Sequence, residues 1–359
     1  MKVLHVINSL SYGGAEKLLT EVAPSMKKKE ISIDIMVLKD KDTGFKEYLH
    51  QKGIKIIESP YGLYSLLNIF FIKRYLKKYN IIHVHLFPAQ YYVSLANKLS
   101  FKKNYIITTE HNTHNKRRNR KLYKPLEAYI YREFNKIICI SDATKANLNT
   151  WIKSTKDKSV IVSNGVEINK YSQAKAYSKE YISDKLNSND RLLLMVASFT
   201  SQKDHITLLR AIKMLPQNFK LILVGEGPTR VKIENQILNL DLVDRVIVLG
   251  ARNDVPKLMK SCDIFVLSSF WEGFGLVAVE AMAAGKIAIA SDVPGLRDVI
   301  DKEELLFKVG DFASLAEKIK YVFMNSERFH ELESFCSKRA EYFSVEKMVN
   351  EYIKIYNKD

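Results

Sequence analysis

The chain has 359 residues, of which 47% are hydrophobic and 27% are charged. This length suits two domains that each bury a core, and no apolar run approaches the roughly 20 residues of a membrane-spanning helix. Three scattered cysteines without CxxC spacing argue against a disulfide framework or a cysteine zinc site, and they favour the reducing cytoplasm. The N-terminus is typical of a first strand rather than of a signal peptide.

The net charge of +16 comes entirely from the first half of the chain. Residues 1–165 hold 29 Lys and Arg against 13 Asp and Glu, whereas residues 166–359 hold 27 of each. The excess is concentrated at 116–121, and the segment 64–79 combines Leu, Ile and Phe with four basic residues. This pattern favours contact with an anionic membrane surface. The alternatives are a purely compositional lysine excess and a nucleic-acid-binding module, although no helix-turn-helix, zinc-finger or RNP-type pattern accompanies the charge.

Short apolar runs alternate with longer helical patterns in both halves. This alternation predicts parallel sheets covered by helices on both faces, so each half is expected to form a doubly wound, Rossmann-like α/β domain. Two such domains in tandem would leave a ligand-binding cleft between their carboxyl strand ends. The predicted strands lie at 3–7, 32–38, 81–85, 105–109, 136–140, 192–196, 220–224, 245–249, 264–267 and 287–290.

The domain boundary is predicted after a strand that ends in the Asn164-Gly165 turn. The first domain then covers 1–167 and the second 168–340, and residues 169–190, rich in Lys, Ser, Tyr and Asn, are expected to be a linker. Residues 341–359 alternate apolar and charged side chains, which predicts a last helix.

Several polar residues follow strands of the first half. Gly13 and Gly14 let the backbone approach a ligand, and a helix start there offers N–H donors to phosphate or sugar oxygens. His83 and His85 alternate on one strand and therefore share a face. Two histidines at this spacing could bind a metal, but the sequence shows no third ligand nearby, so hydrogen bonding is favoured and no metal site is predicted. The Asp-x-Asp at 40–42 lies in a polar loop and is expected to be solvated.

Residues 263–285 carry the most informative pattern. An apolar strand is followed by a glycine turn and by the run 276–284 of good helix formers, which Gly285 ends. Glu280 is the only polar side chain in that run, and a buried carboxylate needs donors, which ribose or sugar hydroxyls would supply. The alternative is that Glu280 pairs with a core cation and that Glu272 is a solvated loop residue.

Glu-x7-Glu with Gly-Phe-Gly inside it, followed by Ala-Met-Ala-x-Gly, resembles the signature of the family-4 retaining glycosyltransferases of the GT-B fold. The resemblance implies that Glu272 contacts the donor sugar and that Glu280 holds the ribose of the nucleotide. It also implies that the helix within 341–359 packs back on the first domain. The turn and helix start that would surround the donor are formed by Gly273, Phe274, Gly275 and Leu276.

The same resemblance assigns further residues. Gly13 and Gly14 would lie against the donor phosphates, and His111 corresponds to a cleft histidine that the family needs for activity. Lys203 would contact the diphosphate, but Ser198 stands where the family usually has an arginine, which suggests that Arg252 contributes the missing charge. Gly225 belongs to a loop that resembles those bordering the nucleobase. The acceptor side is expected to include Glu16, His83, His85 and Asn112.

The resulting prediction is a retaining, metal-independent hexosyltransferase or N-acetylhexosaminyltransferase without a cofactor. It would take a UDP- or GDP-sugar, UDP being favoured, and act on a glycan or lipid-linked acceptor in surface polysaccharide (capsule or O-antigen) biosynthesis. The protein is expected to bind peripherally to the cytoplasmic face of the cell membrane. Nucleic acid is not expected to be a partner. The alternatives are an epimerase or phosphorylase of the same fold and a non-enzymatic basic binding module.

Overall fold

The structure is a computed structural model that describes residues 1–11, 13–39, 44–113 and 115–357. The chain divides into two compact units, one of Met1–Gly165 with Val345–Asp359 and one of Val166–Ser344. The boundaries between the units thus follow residues 165 and 344, whereas the sequence predicts boundaries after residues 167 and 340. Among the described helices, none is long and apolar enough to cross a membrane.

The first unit is built on a seven-stranded parallel sheet. Its strands are β1 (Lys2–Ile7), β2 (Ser32–Val37), β3 (Lys55–Glu58), β4 (Ile81–His85), β5 (Tyr105–Glu110), β6 (Lys136–Cys139) and β7 (Ser159–Ile161). They pair in the order β3-β2-β1-β4-β5-β6-β7. Residues of β1 after Lys2 and all residues of β4 are buried, as expected for central strands covered on both faces. β3 escapes prediction because it has only two apolar residues between charged ends.

The second unit is built on a six-stranded sheet. Its strands are β8 (Arg191–Val196), β9 (Phe219–Val224), β10 (Val246–Gly250), β11 (Ile264–Leu267), β12 (Ile287–Ser291) and β13 (Leu306–Phe307). They are parallel and pair in the order β10-β9-β8-β11-β12-β13. The two-residue strand β13 carries too little pattern to be predicted. Both sheets have the reversal of strand order that marks the doubly wound fold, which confirms the predicted fold class.

Helices connect the strands in both units. Those before the second sheet are α1 (Gly14–Lys28), α2 (Gly44–Gln51), α3 (Leu67–Leu76), α4 (Ala89–Lys98), α5 (Lys124–Arg132), α6 (Asp142–Trp151), α7 (Ile168–Ser172) and α8 (Lys179–Ile182). Those that follow are α9 (His205–Met214), α10 (Arg230–Asn239), α11 (Val255–Ser261), α12 (Leu276–Ala283), α13 (Pro294–Ile300), α14 (Phe312–Met324), α15 (Ser326–Glu341) and α16 (Val345–Tyr356). The predicted linker at 169–190 is therefore wrong in part, because it holds most of α7 and all of α8.

The last helix, α16, belongs to the first unit and contacts α1 there. Its buried side chains recur every three or four residues, which places them along one face of the helix. This face of α16 is therefore the one that packs against the rest of the first unit. The buried residues are Val345, Met348, Val349, Tyr352 and Tyr356.

Candidate active-site residues

The glycine turn before α12 has a geometry that side chains would disturb. Gly275, which precedes α12, has a φ of +92°, in the left-handed region that favours glycine. A Cβ atom at this position would lie 2.3 Å from Cδ2 of Leu296. The side chain of Phe274 is buried and packs edge-to-face against the ring of Phe343, so it has a structural role. The turn therefore fixes the start of α12. There the N–H of Ala278 donates to the Gly275 carbonyl oxygen at 2.9 Å, and the N–H groups of Leu276 and Val277 belong to the first turn, where a helix offers donors without intrahelical acceptors.

Glu272 and Lys203, predicted separately, form one ion pair in the second unit. Glu272 Oε1 accepts hydrogen bonds from Lys203 Nζ and, at 2.7 Å, from Ser269 Oγ. Ser268 donates to the carbonyl oxygen of Lys203 at 3.2 Å and so ties the end of β11 to the loop after β8. The Lys203 and Glu272 side chains are only 17% and 10% exposed. The carboxyl ends of two adjacent strands thus bring together residues that are 69 positions apart in sequence. The sequence analysis does not identify Ser268 and Ser269 as part of this site.

Glu280 lies on α12 and is 3% exposed, which confirms that this carboxylate is buried. The backbone of Gly273 is also closely packed, because a Cβ atom on Gly295 would lie 2.9 Å from the Gly273 carbonyl oxygen. Ser198 and Gly225 are adjacent: a Cβ atom on Gly225 would lie 3.5 Å from the Ser198 nitrogen. The ends of β8 and β9 are therefore in close backbone contact.

Arg252 is held by a neighbouring carboxylate. Its guanidinium donates to both carboxylate oxygens of Asp254, at 2.8 and 2.6 Å, and Tyr177 Oη donates to Asp254 at 3.0 Å. Hydrogen bonding to Arg252 lowers the pKa of Asp254 to about 2. Among the described contacts, none joins Arg252 to Lys203 or Glu272, so the predicted replacement for the missing arginine stays a prediction.

In the first unit, a cavity of about 400 Å³ opens at the carboxyl ends of β1, β4 and β5. It contains the predicted residues His111 and Asn112, together with polar residues that sequence reasoning misses. A position at or directly after the end of a strand is the signal that could have identified Asn8, Thr109 and Glu110, since the strand ends of a parallel sheet gather at one edge. The cavity is lined by Asn8, Leu86, Phe87, Gln90, Thr109, Glu110, His111, Asn112, Asn115 and Arg117.

Four histidines, one threonine and one tyrosine form a continuous set of hydrogen bonds, here called the histidine chain. It runs from His111 Nε2 to His85 Nδ1 at 3.0 Å, and from His85 Nε2 to His5 Nδ1 at 2.9 Å. His5 Nε2 contacts Tyr356 Oη at 3.3 Å. Tyr356 Oη in turn lies 2.6 Å from His83 Nδ1, and His83 Nε2 lies 2.7 Å from Thr109 Oγ1. The predicted residues His83, His85 and His111 are thus brought together; the links His5 and Tyr356 are missed.

Burial keeps the histidine chain uncharged at neutral pH. Desolvation lowers the pKa of His5 to about 3 and that of His111 to about 4, and it lowers the pKa values of His83 and His85 well below the ordinary value. His5, His83 and His85 each offer one nitrogen within 4.8 Å of the others, so they form a possible metal-ligand set that includes the third ligand missed in the sequence. In the structure, His5 Nδ1 and His85 Nε2 lie 2.9 Å apart and satisfy each other through a hydrogen bond.

The basic run at 116–121 differs from prediction. Arg117 Nε donates to Glu127 at 3.0 Å, and Arg118 Nη2 donates to Glu110 at 2.9 Å. Both carboxylates are buried, and a buried carboxylate requires such partners. The prediction that these two arginines present an exposed membrane contact is therefore wrong: their side chains point inward and stabilise the wall of the cavity.

The glycine loop after β1 has a structural role that sequence reasoning does not assign. Gly13 precedes α1, which begins at Gly14. A Cβ atom on Gly13 would lie 2.3 Å from Glu16 Oε2, so the carboxylate of Glu16 folds back over the helix start. Burial raises the pKa of Glu16 above its usual value. Asp40 and Asp42, the predicted solvated Asp-x-Asp, lie outside the described residues.

Two family models match the chain. The model described as Glycosyltransferase Family 4 matches residues 12–170, and the model described as Glycosyl transferases group 1 matches residues 178–341. Together they cover parts of both structural units. Their junction lies near the division between the two units at residue 165.

Similar proteins include enzymes that act on lipid-linked sugars. The chain is 28% identical over 266 residues to the UDP-Gal:alpha-D-GlcNAc-diphosphoundecaprenol alpha-1,3-galactosyltransferase of Escherichia coli, a match over 70% of this chain and 65% of the relative. It is 33% identical over 226 residues to an uncharacterized glycosyltransferase of Methanocaldococcus jannaschii, over 62% of this chain and 59% of the relative. The chain thus spans less than two thirds of either relative. The Anabaena protein HepE, crystallised with UDP and glucose, has a similar fold, with a TM-score of 0.87 over 99% of both chains at 21% identity.

Proposed function

Since this chain belongs to the family-4 glycosyltransferases and has the GT-B fold, we propose that it transfers a sugar from a nucleotide diphosphate sugar to a hydroxyl group of a lipid-linked or oligosaccharide acceptor. The Lys203–Glu272 ion pair carries this proposal, because Glu272 begins the Glu-x7-Glu segment that ends at the buried Glu280. Lys203 offers a cation for a diphosphate, and the segment offers two carboxylates for hydroxyl groups.

The donor would bind by exchanging partners within this ion pair. The diphosphate attracts Lys203 Nζ and the N–H groups at the start of α12, and this contact releases Glu272 to accept hydrogen bonds from the sugar. Glu280 accepts hydrogen bonds from the ribose hydroxyls. Lys203 and the helix start neutralise the leaving nucleotide diphosphate, so transfer needs no divalent metal. The new bond keeps the anomeric configuration of the donor, as in the retaining enzymes that the sequence resembles.

UDP is the favoured nucleotide. The Escherichia coli relative is named for UDP-Gal, and HepE was crystallised with UDP and glucose. A ligand that binds the folded state at 100 times its Kd stabilises it by about 2.7 kcal/mol, which thermal unfolding measures readily. UDP should raise the Tm more than GDP, dTDP or CMP at equal concentrations. If no nucleotide raises the Tm, the donor assignment fails.

Glu272 is expected to act on the sugar and not on the nucleotide. Glu272→Gln should lower the turnover of the nucleotide sugar without weakening the binding of UDP, because Lys203 no longer has to leave an ion pair to contact the diphosphate. The matched control is Glu234→Gln on α10, because Glu234 is an exposed partner of Arg230. Equal losses of turnover and UDP affinity in Glu272→Gln would contradict its assigned role.

Two measurements test the chemistry directly. NMR of the product should show the same anomeric configuration as in the donor, and inversion would exclude a retaining transfer. Activity should survive treatment with EDTA. Loss of activity that Mg²⁺ or Mn²⁺ restores would instead revive a role for Asp40 and Asp42.

The acceptor would occupy the cavity of the first unit, with His111, Asn112 and Glu110 as polar contacts. The Escherichia coli relative is named for a diphosphoundecaprenol-linked acceptor, which favours a lipid-linked substrate here. A surface-polysaccharide precursor is the class of acceptor that this comparison supports. Transfer of radiolabelled sugar to polyprenyl-diphosphate-linked saccharides, separated by thin-layer chromatography, tests the assignment; transfer only to soluble glycans would contradict it.

The membrane contact is assigned to α3 and the residues before it. Tyr64, Leu66, Leu67 and Phe70 are exposed by 50–72%, and Arg74 follows Phe70 by four residues on the same side of the helix. Apolar side chains followed by basic ones are typical of a helix that lies in the bilayer interface. We therefore place the protein peripherally on the cytoplasmic face of the membrane.

Vesicle sedimentation tests this contact. The double variant Leu67→Ser and Phe70→Ser should lose binding to anionic vesicles, whereas Leu238→Ser, at an exposed position of α10 in the second unit, should not. Binding should weaken as salt rises, because the Debye length falls from roughly 10 Å at 0.1 M to roughly 3 Å at 1 M. Undiminished sedimentation of the double variant would remove α3 from the membrane contact.

A further inference from the structure

The cavity of the first unit has one cationic side chain in its lining. Among the residues that line it, Arg117 is the only lysine or arginine. The volume of about 400 Å³ lies near the lower end of the range of about 300–1,000 Å³ that is usual for small-molecule sites. The cavity is therefore large enough for a sugar and a neighbouring group, and Arg117 gives it an affinity for anionic groups.

Two neighbours fix the orientation of the Arg117 guanidinium. Its Nε donates to Glu127 at 3.0 Å, and Glu127 is completely buried. The guanidinium carbon lies 3.9 Å from the centre of the Phe87 ring, in a cation–π contact. The carbonyl oxygen of Phe87 in turn accepts a hydrogen bond from Asn8 Nδ2 at 2.7 Å. The guanidinium is thus held in place without a ligand, which reduces the entropy that binding would cost.

The other edge of the guanidinium has no partner among the described contacts. A guanidinium has five N–H donors, and Nε supplies only one of them. Because Nε faces Glu127 and one face covers Phe87, the edge formed by Nη1 and Nη2 is the part that Arg117, with its side chain 20% exposed, presents to the cavity. Two adjacent nitrogens match two oxygens of a phosphate group.

The carboxylate that holds Arg117 does not line the cavity. Glu127 is absent from the described lining residues. Besides Arg117, it accepts hydrogen bonds from Tyr91 Oη at 3.1 Å and from Trp151 Nε1 at 2.6 Å. These three donors satisfy the buried carboxylate. Arg117 therefore adds positive charge to the cavity, and its partner adds no accessible negative charge.

The second carboxylate of the wall is also satisfied. Glu110 lines the cavity, and its oxygens accept hydrogen bonds from Gln90 Nε2 at 2.8 Å and from Arg118 Nη2 at 2.9 Å. Nε and Nη1 of Arg118 are buried and have no hydrogen-bond partner among the described residues. Buried polar groups are normally paired. The wall thus has more cationic donors than acceptors, which favours an anionic ligand in this cavity.

Exposed apolar side chains lie next to this wall. Leu126 precedes Glu127 on α5 and is 47% exposed, and Leu122, four residues earlier, is 87% exposed. A lipid chain attached to the anionic group would remove such a surface from water. The surface therefore favours a lipid-linked phosphate over the carboxylate of an acidic sugar.

We propose that Arg117 recognises the phosphate of the acceptor: its Nη edge binds the diphosphate that joins the acceptor saccharide to its lipid. The inference rests on the proposed glycosyl transfer for the choice of acceptor. The site itself belongs to the first unit alone, and its binding requires no transfer of sugar. The diphosphate of the donor nucleotide is the other source of the same chemistry, and the experiments distinguish the two.

Calorimetry with two probes measures the contact directly. The first probe is N-acetylglucosamine joined by a diphosphate to a farnesyl chain, a shortened form of the acceptor in the name of the Escherichia coli relative. The second, farnesyl N-acetylglucosaminide, lacks the diphosphate. With UDP present to occupy the donor site, wild-type protein should bind the first probe at least about tenfold more tightly, as expected for hydrogen bonds to a charged group. Equal affinity for the two probes would overturn the inference.

Variants assign the contact to Arg117. Arg117→Gln should remove the preference for the diphosphate probe. Arg117→Lys, which keeps the charge beside Glu127 but loses the paired nitrogens, should retain part of it and serves as the test if urea unfolding shows that Arg117→Gln is not folded. The matched control is Arg120→Gln, because Arg120 is an exposed residue of the same basic run. Full preference in the Arg117 variants, or an equal loss in Arg120→Gln, would contradict the assigned role.

Two further measurements identify the source of the phosphate. In the transfer assay, Arg117→Gln should raise the KM for the diphosphate-linked acceptor about tenfold or more and leave the KM for the nucleotide sugar unchanged. The Kd for UDP should also stay unchanged. Weaker UDP binding would assign Arg117 to the donor diphosphate and overturn the inference. Arg117-dependent binding of the diphosphate probe by a protein without transferase activity would instead reject only the proposed function.

Discussion

The two candidate sites of this molecule are built in different ways. In the second unit, Glu272, Gly275 and Glu280 lie within nine residues of sequence, and Lys203 is the one distant member. In the first unit, the histidine chain draws on β1, β4, β5 and α16, with Tyr356 lying 351 positions from His5. A compact segment around one helix start suits recognition of an anionic donor. A set of buried, neutral groups collected from several elements instead joins the strands and the last helix of the first unit through hydrogen bonds.

The largest expected effect concerns the ion pair of the second unit. Lys203→Ala should lower kcat/KM roughly tenfold to a thousandfold, by comparison with the loss of one donor to a developing negative charge. Lys213→Ala on α9 is the matched control, since the Lys213 side chain is 49% exposed and lies 4.0 Å from Asp241. A loss below about threefold, far under the cost of one such donor, would mean that the second unit does not stabilise the leaving group through Lys203.

Nucleotide affinity gives the next effect. Glu280→Gln should weaken UDP binding by about 1.5–3 kcal/mol, the usual contribution of hydrogen bonds to a charged group. Isothermal calorimetry measures this directly, and circular dichroism shows whether the variant is folded. The corresponding change in the first unit, His111→Ala, should leave the Kd for UDP unchanged. If His111→Ala weakens UDP binding as much as Glu280→Gln does, the assignment of the nucleotide to the second unit is wrong.

Sequence reasoning performs differently in the two units for a physical reason. The turn at Gly275 and the burial of Glu280 could be predicted from a short stretch of sequence. The backbone conformation that glycine favours and the polarity of a helix both depend on residues only a few positions apart. The partners of Arg117 and Arg118 could not be inferred, since a basic run looks solvated until the end of β5 brings Glu110, and helix α5 brings Glu127, beside it.

The histidine chain shows the same limit. His83 and His85 share a strand, so their common face follows from the alternation of side chains. His5 comes next to them only through the parallel pairing of β1 with β4, and Tyr356 only through the packing of α16. Short strands such as β3 and β13 also escape prediction, because their pairing is determined by neighbours that are distant in sequence.

Stability should depend on pH through the first unit. Burial lowers the pKa of His5 from 6.5 to about 3, so the unfolded chain binds a proton at pH 5 that the folded chain does not. The stabilisation present above pH 6.5 is therefore lost as pH falls, and His5 alone should contribute a loss of about 2 kcal/mol between pH 7 and pH 5. Urea unfolding at several pH values measures this.

A variant pair locates the source of that pH dependence. His5→Asn should reduce the loss of stability between pH 7 and pH 5, whereas His330→Asn should not, because the His330 side chain is 77% exposed on α15. Equal pH dependence in wild type and His5→Asn would contradict the neutral, buried state of the histidine chain.

The smallest expected effect concerns the glycine turn of the second unit. Gly275→Ala should cost about 1–2 kcal/mol for the left-handed conformation, and displacement of Leu296 adds to this. Gly62→Ala is the control, since a Cβ atom at Gly62 meets nothing within 4 Å. Urea unfolding of both variants checks the prediction, and equal stability of the two would mean that the turn tolerates a side chain.

Release of nucleotide diphosphate with and without acceptor tests the central claim most directly. With a UDP-sugar and a polyprenyl-diphosphate-linked saccharide, wild-type protein should release one UDP for each glycosylated product, and omission of the acceptor should reduce release to slow hydrolysis. An epimerase would convert the sugar and retain the nucleotide, a phosphorylase would need inorganic phosphate and no nucleotide, and a binding module would release nothing. Any of these three results, in place of UDP release coupled to product, would contradict glycosyl transfer.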